Sequence, residues 1–177
     1  SYGQVDELSE RFGAYLQNVR GLEKGDRVAV MMPNLLQYPI AVFGVLRAGM
    51  VVVNVNPLYT PRELEHQLKD SGAKVIVVLE NFAATLERVI DKVSLTTVIT
   101  TQIGDMFSFP KSLITNVVVK HVKKMVPAWN IANTVTFKSA LARGAQHSLE
   151  AVNLDHDDVA FLQYTGGTTG VSKGAAL

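Results

Sequence analysis

Residues 164–175 read YTGGTTGVSKGA. Gly166, Gly167 and Gly170 are interleaved with Thr165, Thr168 and Thr169. Val171, Ser172, Lys173, Gly174 and Ala175 complete the run. The preceding residues 159–164, VAFLQY, are apolar enough for a buried strand. A strand that empties into a Gly/Thr/Lys loop suits phosphate binding. Glycine lets the backbone approach an anion closely, and successive N–H groups can form an anion-holding concavity. Threonine hydroxyls add donors or a magnesium ligand. Lys173 adds a point charge that can offset developing negative charge on phosphates. The spacing is neither G-x-x-x-x-G-K-[ST] nor G-x-G-x-x-G. The plainer reading is a surface turn between two strands with a solvated lysine.

Upstream of this loop the pattern alternates helix and strand. Residues 7–20 carry Leu8, Phe12, Tyr15, Leu16 and Val19 at helical spacing, with Gly21 as the stop. After a turn at Gly25-Asp26, residues 27–32 (RVAVMM) read as a buried strand. Asn34 is the expected cap of a helix over 35–48, with Gly49 at its end, and residues 50–55 form a second strand. Thr60, Pro61 and Glu63 fit the cap, first and third positions of a helix that ends near Gly72. Residues 73–79 (AKVIVVL) are almost wholly apolar, as in strands covered on both faces of a parallel sheet. A helix over 82–93 and a strand over 95–101 follow. This order predicts an α/β fold, a layered, mostly parallel sheet with flanking helices and right-handed crossovers.

The rhythm loosens at residues 102–110. Residues 111–126 then form an amphipathic pattern, with Leu113, Ile114, Val117, Val118, Val122 and Met125 set against Lys111, Lys120, Lys123, Lys124 and His121. Basic amphipathic helices favour anionic lipid interfaces. A charge run more often marks a solvated face, so the expected arrangement puts the apolar side on the core and the lysines in water. The β-branched run at 117–119 disfavours a regular helix there. Trp129 is expected as a packing anchor in a loop, and residues 136–143 as a short helix stopped by Gly144.

Composition narrows the function. A net charge of +1 gives no broad pull toward nucleic acid. The chain has no cysteine, which excludes disulfides and thiolate metal sites and fits a reducing, cytoplasmic setting. The long uncharged run 28–46 contains Pro33, Asn34, Gln37 and Pro39, which break it into strand, turn and helix rather than one membrane span. Asp155, His156, Asp157 and Asp158 are adjacent in sequence and cannot all point at one ion, so they read as solvated groups. His66 and His147 read as ordinary surface residues. No G-x-S-x-G nucleophile motif is present.

The run 164–175 resembles the phosphate-loop signature of the acyl-adenylate-forming (AMP-binding) superfamily, usually written [YF]-T-S-G-[ST]-T-G-x-P-K-G. Gly166 stands where serine is usual and Ser172 where proline is usual. The Gly-Gly form resembles the bacterial long-chain fatty acid–CoA ligase branch. The resemblance implies that residues 1–177 are the N-terminal part of the AMP-binding domain, without its remainder or its lid domain; the lack of an initiating Met and the end at Leu177 agree. It implies ATP and Mg2+ at the loop, with coenzyme A as co-substrate and a fatty acid as the acid. Tyr164 through Ala175 would bind the nucleotide, with Thr165 and Thr168 contacting phosphate oxygens, Thr165 facing the metal and Lys173 catalytic. Peripheral attachment to the inner membrane and a homodimer are left open. Two other readings also stay open: an adenylate-forming ligase for an aryl or amino acid, and a non-catalytic phosphate-binding α/β module. The adenine, ribose and C-terminal lysine motifs of such enzymes lie outside these residues, so the piece alone is expected to bind ATP weakly and not to turn over.

Overall fold

The computed structural model describes residues 1–165 and 172–177. It is a seven-stranded sheet between two helical layers, with strand order β5-β4-β3-β1-β2-β6-β7. The strands are β1 (Arg27–Met31), β2 (Val51–Asn54), β3 (Val75–Leu79), β4 (Thr97–Thr101), β5 (Val135–Thr136), β6 (Phe161–Thr165) and β7 (Lys173–Ala176). The first six pair in parallel, and only β7 runs antiparallel, against β6. The helices are α1 (Tyr2–Ala14), α2 (Gln37–Arg47), α3 (Pro61–Ser71), α4 (Ala83–Glu87), α5 (Lys111–Val117) and α6 (Phe137–Gly144).

Handedness explains the layering. The connection from β1 through α2 to β2 steps one way, and that from β2 through α3 to β3 steps back across β1. Crossovers of one hand must therefore place α2 and α3 on opposite faces. Side chains of α1, α2 and α6 pack with Val28, Val30, Val52, Val77 and Ile99 on one face. Those of α3 and α4 pack with Ala29, Met31, Val53, Ile76 and Val78 on the other. β3 is buried at every position, as its apolar sequence requires.

Local signals set most boundaries. Ser1 and Gln4 form a capping box, so α1 starts at Tyr2, earlier than residue 7. Thr60 and Glu63 form the expected box on α3, which stops at Gly72 with φ 60. Asn34 does not cap α2; the helix begins at Gln37 with no side-chain cap. Pro39 is the reason. Begun at Leu35, the helix would bury Pro39 in its second turn, where the missing N–H and ring clash are costly; begun at Gln37, Pro39 falls within the first turn.

The helix expected over 82–93 is broken. Short 3-10 turns at Glu80–Phe82 and Ile90–Lys92 flank a one-turn α4, and Val89 leaves helical geometry at φ −124. The segment 111–126 is α-helical only to Val117. It widens into a π-turn over Val118–Val122, where the β-branched run lies, and Lys124 turns the chain at φ 50. The last strand is also less enclosed than its sequence suggests: Phe161, Leu162 and Gln163 of β6 are half-buried and β7 is exposed throughout. No helix among the described residues is long and apolar enough to cross a membrane.

Gly144 does not stop α6 through a positive φ; it closes the helix by contact. A Cβ there would run into the Arg11 carbonyl of α1. Helix propensity alone would make Gly144→Ala favourable by about 1 kcal/mol. Forced overpacking costs about 1–3 kcal/mol and the neighbour here is backbone, so the clash should win. The Gly144→Ala chain is expected to unfold at lower urea than the parent, and an unchanged or higher midpoint would show that α1 and α6 separate freely.

Candidate active site

Every parallel strand points its carboxyl end to one side of the sheet. The run 164–175 leaves β6 on that side, beside β2. Of its residues, Gly166, Gly167, Thr168, Thr169, Gly170 and Val171 lie outside the described residues. Tyr164, Thr165, Ser172, Lys173, Gly174 and Ala175 are placed. The chain returns along β7, pairing Thr165 with Lys173 and Tyr164 with Gly174. Residues directly opposed on a ladder share a face, with Cβ atoms about 5 Å apart. Thr165 and Lys173 thus project from the same face of the hairpin. Both residues are exposed. The ion pairs among the described residues use other lysines.

The base of this hairpin is built by α3. Tyr164, 8% exposed, donates its hydroxyl to Asp70 Oδ2 at 2.6 Å. Gly174 lies under the Tyr164 ring, close enough that a Cβ would sit 2.9 Å from ring carbons. One turn earlier on α3, His66 Nε2 donates to the Ser172 carbonyl at 3.0 Å, which fixes the proton on that nitrogen. His66 is therefore half-buried beside the loop's return rather than an ordinary surface group, whereas His147 is exposed as expected.

A second polar set joins β2 to β6. The Tyr38 hydroxyl donates to Asn54 Oδ1 at 2.9 Å, Asn54 Nδ2 donates to Gln163 Oε1 at 3.0 Å, and Gln67 Nε2 donates to the Asn54 carbonyl at 2.8 Å. Tyr38, Asn54 and Gln163, with Met32, Asn34, Tyr59 and Tyr164, line a cavity of about 260 Å³ at the carboxyl ends of β2 and β6. Asp70, Asn54 and Tyr38 carry no signal in the sequence reading, and His66 appears there only as a surface group. One signal was available: on α3 the buried stripe Leu64, Gln67, Leu68 and Ser71 includes a glutamine, a polar group that must find partners.

A larger cavity, about 740 Å³, opens beyond β3 and β4. Its floor holds Glu80 and Asp105. Glu80 accepts from Gln102 and Lys120, and Asp105 is paired with Lys138 at 3.4 Å. Two carboxylates facing inward make it a poor seat for a polyphosphate. The Asp155–Asp158 run is largely exposed at the opposite end of the strands, and no group of three or more His, Cys, Asp or Glu among the described residues could hold a metal.

The AMP-binding enzyme profile matches residues 1–177, the whole chain. The chain belongs to the AMP-binding enzyme family. It is 57% identical over 177 residues to a long-chain-fatty-acid–CoA ligase of Escherichia coli O6:H1 and 39% identical over 168 residues to one of Bacillus subtilis. It is 31% identical to a 4-coumarate–CoA ligase-like protein of rice. The chain spans only 32% of the E. coli relative's length and 30% of the B. subtilis one. Among solved structures, an anthranilate CoA ligase bound to anthranoyl-AMP shares the fold, with TM-score 0.77 at 21% identity over 99% of this chain and 29% of that one. A long-chain-fatty-acid–CoA ligase from Archaeoglobus fulgidus aligns with TM-score 0.73 and 25% identity over 100% of this chain and 29% of that one. The mostly parallel sheet with helices on both faces is thus that of the N-terminal region of AMP-binding enzymes.

Tyr164 in this family member carries a titration signature. Burial first, then the hydrogen bond and negative charge of Asp70, push its hydroxyl well above the ordinary 10.0. A raised folded-state value stabilises the protein fully below the unfolded value, and that contribution is lost as pH climbs above about 10. Asp70→Asn removes the charge but not the burial. Ultraviolet phenolate titration should then find the Tyr164 transition at lower pH than in the parent, though still above 10; identical curves would mean that the Tyr164–Asp70 contact does not form.

Proposed function

We propose that these 177 residues are the N-terminal part of the AMP-binding domain of a long-chain fatty acid–CoA ligase. The observation that carries the reading is 57% identity, over the whole chain, to enzymes of that name. In the proposed reaction a fatty carboxylate attacks the α-phosphorus of ATP, giving an acyl-adenylate and pyrophosphate, and the thiol of coenzyme A then displaces AMP. Chemistry of this kind rests on positioning and charge neutralisation.

The residues at the loop suit a polyphosphate. Lys173 supplies a cation and Thr165 a hydroxyl on the same face, and residues 164–175 include no acidic side chain to repel one. Tyr164 through Ala175 are assigned to the nucleotide, with Lys173 as the catalytic cation. Tyr164, anchored on Asp70, and Ser172, anchored on His66, hold the two ends of the loop in place. Magnesium is suited more weakly. Thr165 offers one neutral oxygen, so an ion there would arrive on phosphates and complete its shell with water or carboxylates from elsewhere. When bound, it supplies positive charge along the triphosphate. No described residue is assigned to coenzyme A.

The rice relative's name keeps an aryl acid as the competing substrate class. The test uses the full-length protein that contains this chain. ATP–pyrophosphate exchange should be fastest with long-chain fatty acids and slow with aryl and amino acids. Lys173→Ala should lower kcat/KM about 10²–10³-fold, the usual effect of losing one preorganised charge-stabilising group. Fast exchange with an aryl acid would reassign the substrate, and an unaffected Lys173→Ala variant would remove Lys173 from the mechanism. For the 177-residue chain alone, isothermal titration should find weak ATP binding; tight binding would instead favour a self-sufficient phosphate-binding module.

A further inference from the structure

The segment Lys111–Val122 is attached through its polar side. Ser112 and Asn116 point inward, and Gly104 is the contact that lets the helix approach, with a Cβ there meeting Asn116 Oδ1 and the Ser112 carbonyl at 2.8 Å. Asn116 Oδ1 accepts from the Gly104 N–H at 2.8 Å, and its Nδ2 donates to Asp105. Lys120 reaches in to Glu80, and Asn81 donates to the Met125 carbonyl at 2.9 Å. The apolar side faces out. Phe109 is 83% exposed, Leu113 and Ile114 58% each, Val122 70% and Met125 52%; Val117 is exposed beside them. The expected arrangement, apolar side on the core, is reversed. The cause is the polar floor below: Glu80, Asp105 and the Gly104 amide need hydrogen-bonding partners, and the helix supplies them.

Charge shows what this face meets. Between Asp105 and Glu150 the chain has no acidic residue; of the lysines there, Lys120 and Lys138 pair with Glu80 and Asp105 on the inner side. Lys111, Lys123, Lys124 and His121 are exposed around the apolar stripe. A protein partner would select against this mixture, because lysine is depleted at the centre of protein interfaces. A bilayer surface selects for it: apolar side chains enter the headgroup boundary while lysines meet anionic lipid.

We propose that the outward face of α5 and its π-turn is a docking surface for an anionic lipid bilayer. The helix lies in the membrane plane, held to the domain by the Asn116 and Lys120 contacts. It follows β4, so the bilayer meets the side of the sheet to which the strands' carboxyl ends point, the side from which the 164–175 loop also leaves. The proposal does not depend on the substrate assigned above.

The test is vesicle flotation with the full-length protein containing this chain. The parent should float with phosphatidylglycerol-containing vesicles and much less with pure phosphatidylcholine. Lys123→Gln/Lys124→Gln should weaken binding to the anionic vesicles about 25-fold, at roughly fivefold per lysine, and added salt should also weaken it. Ile114→Ser/Val117→Ser should weaken it at least tenfold while leaving the melting temperature, solution mass and soluble-substrate activity unchanged. The idea fails if the parent ignores anionic vesicles, or if neither variant alters binding. It fails equally if the serine variant lowers the melting temperature, which would mean another part of the longer protein covers this face, or if it changes the mass in solution, which would mean a second copy does.

Discussion

The structure depends on one asparagine at the end of β2, through its side-chain amide and its backbone carbonyl. Asn54 ties α2 through Tyr38, α3 through Gln67 and β6 through Gln163, a residue 109 positions away in sequence. The backbone pairing of Val52 with Phe161 and of Asn54 with Gln163 runs through the same place. Closing so long a loop is entropically unfavourable, and hydrogen bonds in a partly buried setting help to fix its register. A one-residue slip of β6 would turn Tyr164 away from Asp70 and move Thr165 to the opposite face. The position of the strand end from which the glycine-rich run leaves is thus a consequence of pairing with a residue far away in sequence.

The two ends of the loop are held by different means. On the β6 side a buried phenol is fixed to a carboxylate; on the β7 side a backbone carbonyl is fixed to an imidazole. Both anchors come from α3, one turn apart. The same helix that covers the sheet with Leu64 and Leu68 therefore also fixes the mouth of the site with His66 and Asp70. Lys173 and Thr165 are left outside this framework, exposed and opposed on the ladder, as groups meant to meet a ligand should be.

Much of this was legible in the residues. The apolar runs at β1 and β3, the Thr60–Pro61–Glu63 start of α3 and the strand before the glycine-rich run all follow from local rules and stand where expected. What escaped depends on contacts between distant segments. The two-residue β5 has no periodicity to detect. His66 reads as a surface residue until β7 brings Ser172 beside it. The orientation of α5 is hidden from the sequence because amphipathicity gives the direction of the apolar face only when the floor beneath is apolar. Here the floor is Glu80, Asp105 and a backbone amide, and hydrogen bonding outweighed burial. The strand that precedes the glycine-rich run is readable from its apolar residues; the antiparallel pairing of β7, which opposes Thr165 and Lys173, is not.

Trp129, the only tryptophan of the chain, packs half-buried against the α3 and α4 layer and lines the cavity shared with Leu113 and Asn116. Its indole therefore sits between the hydrophobic layer and the inverted helix. Any event that lifts, tilts or dehydrates that helix changes the polarity around a single natural fluorophore. The chain carries its own optical gauge at the boundary where its interior meets its most unusual surface.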